Sequence, residues 1–410
     1  MGIEKLLKEL YSHSITSIKL GLTNIESLCE KMGNPQNDYK VIHIGGTNGK
    51  GSTSTIIEKV LMEDGKKVGK YTSPHILKFN ERIQVDGREI SDEKIAYYYN
   101  LVKKIMEENN IKATFFEITT AMMFKYFSDE KIDYAVLEVG LGGKFDATNI
   151  ADGDISIVTN VSLDHTEFLG NDIYTIALEK AGIIKDKSYV IVGSDDEEFL
   201  KAIETKGKDY INVLEKYKNS EVFLNFNDFT TEITIGKNKY KNPLFGTHQY
   251  SNFLCAYEAL KKLGISDETI KKGLKKVKWP CRFEQINLDE RNIILDGAHN
   301  IDSMRRLVET IQMNYNKDEV VAVVSILKDK KIEEMAPILE EMTDSIILTS
   351  LKENSRGLSG EELKKYFPLG VVEENINEAY ELAKEMDKKI IIFCGSFYLL
   401  SKFKEEILGC

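Results

Sequence analysis

Apolar residues recur in two alternating patterns along the first half of the chain. Short apolar runs predict buried strands, and they cover residues 41–44, 67–71, 134–139, 155–161 and 189–192. Between these runs, apolar residues recur at helical spacing over residues 1–38, 52–63, 91–108, 115–127 and 172–181, and Ser91 is a predicted N-cap. Because strands alternate with helices, this half predicts a parallel sheet covered on both faces.

The pattern changes twice further along the chain. Residues 213–240 alternate between polar and apolar over short stretches, which predicts a small antiparallel annex. After an interruption near Trp279, a new αβ series has strands predicted at 292–295, 320–324, 345–348 and 389–393, and helices at 303–313, 332–341 and 376–386. We therefore predict a first domain over residues 1–278, a linker over 279–290 and a smaller α/β domain over 291–410.

Composition narrows the class of protein. At 410 residues the chain is too long for one ordinary core, so two domains are the default. A formal net charge of −11 argues against a nucleic-acid partner, and no apolar run is long enough to cross a membrane. Five scattered cysteines without C-x-x-C pairs argue against a disulfide scaffold or a zinc site, and they predict a cytoplasmic protein.

A glycine-rich stretch at residues 45–52 lies between the first apolar strand and a helix. Such a turn leaves backbone N–H groups free to bind a phosphate, helped by the helix dipole. Lys50 would reach the β- and γ-phosphate oxygens, and the hydroxyl of Ser52 would contact a phosphate-bound Mg²⁺. The stretch departs from the general nucleotide-loop pattern at Ile44 and Gly51, and the alternative is an ordinary glycine turn with a surface lysine.

Three further side chains are predicted to lie at the carboxyl ends of strands in the same sheet. They are Ser73, Glu138 and His165. Because a carboxylate is costly to bury in an apolar strand unless it is paired, protonated or metal-bound, Glu138 is a candidate Mg²⁺ ligand, with Ser52, Ser73 and His165 beside it. The alternatives are that Glu138 pairs with a lysine and that Ser73 and His165 cap turns.

In the second domain, Asp296 and His299 lie in a predicted strand-to-helix turn, and Arg282 lies next to the domain break. An arginine here is suited to clamp a phosphate or a carboxylate. The residues alone leave two alternatives open, an ion pair of Arg282 with Glu284 and a helix cap for Asp296.

Taken together, these residues resemble the folylpolyglutamate synthases and dihydrofolate synthases of the Mur-ligase superfamily. The resemblance covers essentially the whole chain, and the order and spacing of its motifs are specific. The motifs are GTNGKGS at 46–52, TSPH at 72–75, FE at 116–117, LEVGLGG at 137–143, DATN at 146–149, DHT at 164–166, EKAG at 179–182, HQYSN at 248–252, RFE at 282–284 and DGAHN at 296–300.

The resemblance implies a P-loop ATPase domain followed by a smaller Rossmann-like domain, with the active site in the cleft between them. It also implies a role for each matching residue. The implied ATP contacts are Asn48, Gly49, Lys50, Gly51, Asn252, Arg282 and Asp296, and the implied metal-site residues are Ser52, Ser73, Glu138, His165 and Lys180. Lys180 matches a lysine that such enzymes carry as a carbamate, and His299 is a candidate for orienting phosphate or assisting proton transfer. The implied pterin-pocket positions are Thr114, Phe115, Phe116, Glu117 and Phe145.

The chain departs from the family pattern at three positions. Lys144 occupies the place of an arginine, Cys281 that of a glycine and Ile301 that of a proline. Lys144 keeps the charge but loses the bidentate fork of arginine. The other two departures affect only the expected local loop geometry.

The function implied by the resemblance is ATP-dependent addition of L-glutamate to a folate or to dihydropteroate through an acyl phosphate, with two Mg²⁺ ions. The predicted partners are therefore small molecules, and we predict that the protein is a monomer. Three alternatives remain: another Mur-type ligase acting on cell-wall precursors, a nucleotide-hydrolysing switch, and a non-catalytic scaffold that only binds folate.

Overall fold

The computed structural model describes residues 2–13, 21–164, 166–352 and 354–410. The chain divides into two compact units. Unit 1 comprises Met1–Glu221, Thr234–Lys241 and Ser251–Val277, and unit 2 comprises Val222–Ile233, Asn242–Tyr250 and Lys278–Cys410. None of the helices in the described ranges combines the length and the hydrophobicity that a membrane span requires.

Unit 1 contains an eight-stranded sheet with the strand order β4-β3-β2-β5-β1-β6-β7-β8. Its strands are β1 (Lys40–Gly45), β2 (Val68–Tyr71), β3 (Ile83–Val85), β4 (Arg88–Glu89), β5 (Tyr134–Glu138), β6 (Ile155–Val158), β7 (Tyr189–Val192) and β8 (Tyr210–Asn212). The six strands from β2 to β8 in this order are parallel, as predicted.

Strands β3 and β4 form an antiparallel hairpin at one edge of this sheet, which the apolar pattern did not predict. The reason is the turn between them, where Asp86 and Gly87 have φ values of 50° and 70°. Positive φ at both central positions permits a two-residue hairpin, and such a turn needs no helix to connect its strands.

The helices up to residue 274 lie largely where helical spacing predicted them. They are α1 (Ile3–Ser12), α2 (Thr23–Lys31), α3 (Lys50–Glu63), α4 (Asp92–Asn109), α5 (Phe115–Glu130), α6 (Thr166–Leu169), α7 (Ile173–Lys180), α8 (Glu197–Glu204), α9 (Val213–Lys216), α10 (His248–Lys262) and α11 (Asp267–Leu274). Ser91 caps α4, as predicted, by accepting a hydrogen bond from the backbone N–H of Lys94. Helices α6, α8, α9 and α11 were not predicted.

The annex predicted at residues 213–240 is partly observed. A three-stranded sheet has the order β11-β10-β9, formed by β9 (Glu221–Asn225), β10 (Thr230–Ile235) and β11 (Asn238–Asn242). Its first predicted residues instead form α9, because the side chain of Asn212 accepts hydrogen bonds from the N–H groups of Leu214 and Glu215 and starts a helical turn.

Unit 2 contains a six-stranded sheet with the order β12-β13-β17-β14-β15-β16. Its strands are β12 (Glu284–Leu288), β13 (Arg291–Leu295), β14 (Val320–Val324), β15 (Ile346–Leu348), β16 (Val371–Val372) and β17 (Ile390–Cys394), and its helices are α12 (Ile301–Gln312), α13 (Ile332–Met342), α14 (Gly360–Leu363), α15 (Ile376–Glu385) and α16 (Phe397–Glu406). Strand β12, antiparallel to β13, lies within the span predicted as a linker. Both large sheets are mostly parallel and alternate with helices, which confirms the predicted α/β class.

A buried ion pair joins the helix after the glycine loop to the strand before Ser73. The Nζ of Lys70 in β2 lies 2.9 Å from Glu58 Oε2 in α3, and the two side chains are 3% and 0% exposed. Lys59 approaches the same oxygen at 3.2 Å. Burial lowers the pKa of Lys70, and the charge of Glu58 opposes this shift. The pair therefore fixes α3 against β2.

We expect Glu58→Ala to destabilise the protein by about 3 kcal/mol, because it leaves the ammonium group of Lys70 buried without this carboxylate. Glu198→Ala is the control, since its ion pair with Lys201 is exposed (58% for Lys201 and 51% for Glu198) and is worth less than about 1 kcal/mol. Urea unfolding followed by circular dichroism measures both effects. Equal shifts in the two variants would contradict the structural role given to the buried pair.

Candidate active site

The glycine loop connects β1 to α3 in unit 1, and two of its glycines are required by geometry. Gly46 and Gly49 have φ values of 140° and 83°. A Cβ at Gly46 would lie 1.9 Å from Thr159 Oγ1, and one at Gly49 would lie 2.0 Å from Asn252 Oδ1. The loop therefore keeps its bare backbone next to the first turn of α3, where helix N–H groups can donate hydrogen bonds to an anion.

Polar contacts from two other elements hold this loop. The hydroxyl of Thr159 donates to the carbonyl of Asn48 at 2.6 Å, and the N–H of Asn48 donates to Asn160 Oδ1 at 2.9 Å. From α10, the carbonyl of Asn252 accepts a hydrogen bond from the hydroxyl of Thr53 at 3.4 Å. The structure thus brings Asn252 to the loop that contains the predicted ATP contacts at positions 48–51.

Two lysines lie beside this loop. The ammonium group of Lys50 donates to the carbonyls of Gly46 and Thr47, both at 3.0 Å. Lys180 ends α7 and is buried, and its pKa is lowered to about 7 by burial and then by the charge of Lys50, against the opposing charges of Asp164 and Glu179. The positive charge of Lys50 is therefore close enough to Lys180 to favour its neutral form.

The loop after β5 holds Lys180 by direct backbone packing. A Cβ at Gly143 would lie 2.6 Å from the carbonyl oxygen of Glu179 and 2.9 Å from the Cα of Lys180. The N–H of Lys144 donates to that carbonyl of Glu179 at 2.8 Å. The same loop is anchored by Asp146, whose buried carboxylate accepts hydrogen bonds from the N–H groups of Gly140 and Leu141. The glycines of this motif therefore set the position of Lys180.

The predicted metal residues are only partly described. Glu138 ends β5 with a buried side chain, and its Oε2 accepts a hydrogen bond from the N–H of Ser73 at 3.4 Å. Ser52 is buried in the first turn of α3, and His165 lies outside the described residues. The alternative for Glu138 was an ion pair with an unspecified lysine. The charge of Glu138 raises the pKa of Lys70, but Lys70 forms its ion pair with Glu58.

One carboxylate with serine hydroxyls is a donor set that fits Mg²⁺, which takes few protein ligands and fills its octahedron with water and phosphate oxygens. Within the described ranges, no cluster of three or more His, Cys, Asp or Glu side chains is arranged to hold a metal ion. A site of this kind would therefore depend on oxygen atoms from the bound nucleotide as well as on Glu138, Ser52 and Ser73.

The predicted pterin-pocket residues at the start of α5 divide into two kinds. Thr114 and Glu117 form a capping box, in which Glu117 accepts from the N–H of Thr114 at 2.8 Å and Thr114 accepts from the N–H of Glu117 at 3.3 Å. These two polar side chains therefore have a structural use in starting the helix.

The two phenylalanines between them are packed differently. A Cβ at Gly140 would lie 2.4 Å from Phe116 Cζ, so the ring of Phe116 covers the glycine motif. The ring of Phe115 lies 5.3 Å from that of Tyr11. Phe145 is 37% exposed, and the ammonium group of Lys144 lies 4.9 Å from its ring centre. Half-exposed aromatic rings of this kind can accept a flat heterocycle.

In unit 2, the turn after β13 is organised by Asp296. Its carboxylate accepts hydrogen bonds from the N–H groups of Phe283 and Ala298 at 2.8 and 2.9 Å. Burial raises the pKa of Asp296, and the charge of Arg282 opposes this shift. Asn300, not Asp296, caps α12. The Nδ1 of His299 donates to the carbonyl of Gly297 at 2.7 Å, which fixes the imidazole ring.

Phe397 is a residue of this region that the sequence analysis missed. Its ring centre lies 4.3 Å from the guanidinium carbon of Arg282 and 5.5 Å from the imidazole centre of His299. Glu284, the other partner considered for Arg282, accepts from Lys404 Nζ at 2.8 Å. The sequence signal that could have identified Phe397 is Gly395, which follows a predicted strand. Residues after this glycine are expected at the carboxyl end of the sheet.

Two departures from the family pattern have a structural explanation. Cys281 has a φ of 58°, a left-handed conformation that a glycine adopts without strain. Its N–H donates to Glu284 Oε2 at 2.8 Å, which helps to hold this conformation. Ile301 is the first residue of α12, where proline is also favourable.

A bare glycine loop at the edge of a parallel sheet, with two lysines and a buried acid close to it, defines a P-loop nucleotide-binding protein. Comparison with known proteins agrees with this class. Residues 44–260 match the Mur ligase middle domain, and residues 281–397 match the Mur ligase, glutamate ligase domain.

Several relatives match over nearly their full length. A dihydrofolate synthase/folylpolyglutamate synthase of Bacillus subtilis is 32% identical, with 95% of each chain covered. The structure of E. coli FolC in complex with DHPP and ADP has a TM-score of 0.89 at 28% identity, covering 100% of this chain and 98% of that one. A bifunctional folylpolyglutamate synthase/dihydrofolate synthase with Mn, AMPPNP and L-glutamate bound has a TM-score of 0.87 at 28% identity, with coverage of 100% and 98%. The chain therefore belongs to the Mur ligase family, together with the dihydrofolate synthases and folylpolyglutamate synthases.

We expect Gly49→Ala to weaken the binding of Mg·ADP at least tenfold, because the new methyl group collides with Asn252 and displaces the loop. Gly65→Ala is a matched control, since Gly65 also has a positive φ, 78°, but has nothing within 4 Å of a new Cβ. It shares the backbone strain without the collision. Isothermal calorimetry measures both affinities, and wild-type affinity in the Gly49 variant would contradict the packing argument.

Proposed function

We propose that this protein is an ATP-dependent ligase that joins the amino group of L-glutamate to a carboxylate of a folate, and also of dihydropteroate. The observation that carries the proposal is the glycine loop with Lys50 and Lys180 beside it, in a chain of this family. The relatives named above are called dihydrofolate and folylpolyglutamate synthases, which supports the choice of substrates.

Amide formation from a carboxylate needs a leaving group better than oxide. The substrate carboxylate attacks the γ-phosphorus of ATP, ADP leaves and an acyl phosphate forms. The glutamate amine then attacks the acyl carbon, inorganic phosphate leaves from the tetrahedral intermediate and the amine loses a proton. No protein nucleophile is required, so the work of the protein is to position the reactants and to neutralise charge.

We assign the residues of unit 1 as follows. The loop at positions 48–51 binds the phosphates, with the ammonium group of Lys50 on the β- and γ-phosphate oxygens, and Asn252 contacts ATP. Ser52, Ser73, Glu138 and His165 would hold two Mg²⁺ ions, together with a carbamate on Lys180. These ions would neutralise part of the phosphate charge. The rings of Phe115, Phe116 and Phe145, with Thr114 and Glu117, form the proposed pterin pocket.

In unit 2, we assign Arg282 and Asp296 to ATP and His299 to orienting phosphate or assisting proton transfer. The geometry that supports this is the shared turn, in which Asp296 shapes the backbone and the Nδ1 of His299 is already committed to Gly297. The closure of two domains around the substrates stays a prediction, as do the monomeric state and the cytoplasmic location.

An assay that measures phosphate release and the mass of the product distinguishes this function from its alternatives. The protein, ATP and Mg²⁺ are incubated with dihydropteroate or tetrahydrofolate, with and without glutamate. We expect phosphate release that depends on glutamate and a product heavier by one or more glutamyl units. A nucleotide-hydrolysing switch would release phosphate regardless of glutamate, and a ligase of cell-wall precursors would leave both pterins unchanged.

We expect Lys50→Ala to lower the ligation rate by at least about a thousandfold while the protein stays folded, because a charge at the transferred phosphoryl group is lost. Lys66→Ala is the control, since Lys66 follows the same helix and pairs at the surface with Asp64. Initial rates and melting temperatures are compared. Near-normal turnover in the Lys50 variant would refute its role.

We expect Lys180→Ala to lose activity and to regain part of it in millimolar acetate or propionate, because a small carboxylate can replace the carbamate in the space left by the side chain. Lys50→Ala should not respond to the same acids, which makes it the internal control. If the Lys180 variant shows no rescue at any acid concentration, the carbamate has no support.

A further inference from the structure

The start of α16 lies next to the turn that contains His299. Strand β17 is hydrogen-bonded to β13 in the sheet of unit 2. The N–H of Gly395, just after β17, donates to the carbonyl of Ala298 at 2.9 Å. Ser396 then caps α16 by accepting from the N–H of Tyr398 at 3.1 Å. The position of Phe397, the first residue of α16, is therefore fixed relative to that turn.

The ring of Phe397 contacts two side chains that the proposed function uses. The guanidinium carbon of Arg282 lies 4.3 Å from the ring centre, within the distance of about 6 Å at which a cation is attracted to an aromatic face. The imidazole of His299 lies 5.5 Å from the same centre, with the two planes tilted by 55°. One half-buried ring thus restricts both polar side chains.

Gly297 also packs against both Phe397 and Arg282. A Cβ at this position would lie 2.2 Å from Phe397 Cε1 and 2.7 Å from Arg282 Nη1. The turn therefore has room for the phenyl ring and the guanidinium only because residue 297 has no side chain.

We propose that Phe397 is a positioning residue, which holds the guanidinium of Arg282 and the imidazole of His299 in the orientation that meets the nucleotide. This inference rests on the proposed function, which assigns Arg282 to ATP. A pre-oriented arginine loses less rotamer freedom when it binds an anion, so the ring contributes to nucleotide affinity without touching the nucleotide.

The test compares Phe397→Ala, Phe397→Leu and Phe397→Tyr. Dissociation constants for Mg·ADP are measured by calorimetry, and KM for ATP and kcat in the glutamate-dependent assay. The alanine and leucine variants should weaken Mg·ADP binding about three- to tenfold and raise KM for ATP similarly, whereas the tyrosine variant, which keeps the aromatic face, stays within twofold of wild type. Tyr97→Ala, at an exposed aromatic position in unit 1, should change neither constant.

A double-mutant comparison ties the effect to Arg282. In an Arg282→Met background, Phe397→Ala should weaken binding by less than half of its factor in the wild-type background. An equal factor in both backgrounds would overturn the proposal. So would a leucine variant that binds like wild type, or an effect that only follows a lowered melting temperature. If the wild-type protein binds Mg·ADP but forms no glutamyl product, the proposed function fails. The positioning role is then still tested by the dissociation constants for Mg·ADP.

Discussion

The site depends on one constraint, that the backbone between β1 and α3 passes close to its neighbours without side chains. Gly46 and Gly49 each lie about one bond length too close to another element for any Cβ to fit. The hydroxyl of Thr159 and the side chain of Asn160 then hold the loop from the adjacent strand end. These contacts hold the loop in one conformation, so that its N–H groups would need little reorganisation to bind an anion.

A second glycine motif acts in the same way near Glu138 and Lys180. Gly143 lets the loop after Glu138 contact the backbone of Lys180 directly. Asp146 anchors the same loop by accepting a hydrogen bond from the N–H of Gly140. The buried ion pair of Glu58 with Lys70 fixes the helix that contains Ser52 against the strand that leads to Ser73. Close backbone packing and buried charge thus position groups that are distant in sequence.

Much of this arrangement could be predicted from the sequence, for physical reasons that differ between elements. Strands β7 and β14 lie at the residues predicted, because parallel strands buried on both faces are continuous apolar runs. Strand β4, which is short and formed by Arg88 and Glu89, has no such signal. Phe397 was missed because an aromatic residue at the start of an apolar helix looks like an ordinary core position, and only the fold brings Arg282 to its face.

The most direct test of the account is a crystal structure of the protein with Mg²⁺ and a non-hydrolysable ATP analogue. The account predicts that backbone N–H groups of residues 48–51 contact the β- and γ-phosphates, that Lys50 turns from the carbonyls of Gly46 and Thr47 to the phosphate oxygens, and that a metal ion contacts Ser52. A triphosphate bound away from residues 45–52, with the glycine loop unchanged, would contradict it.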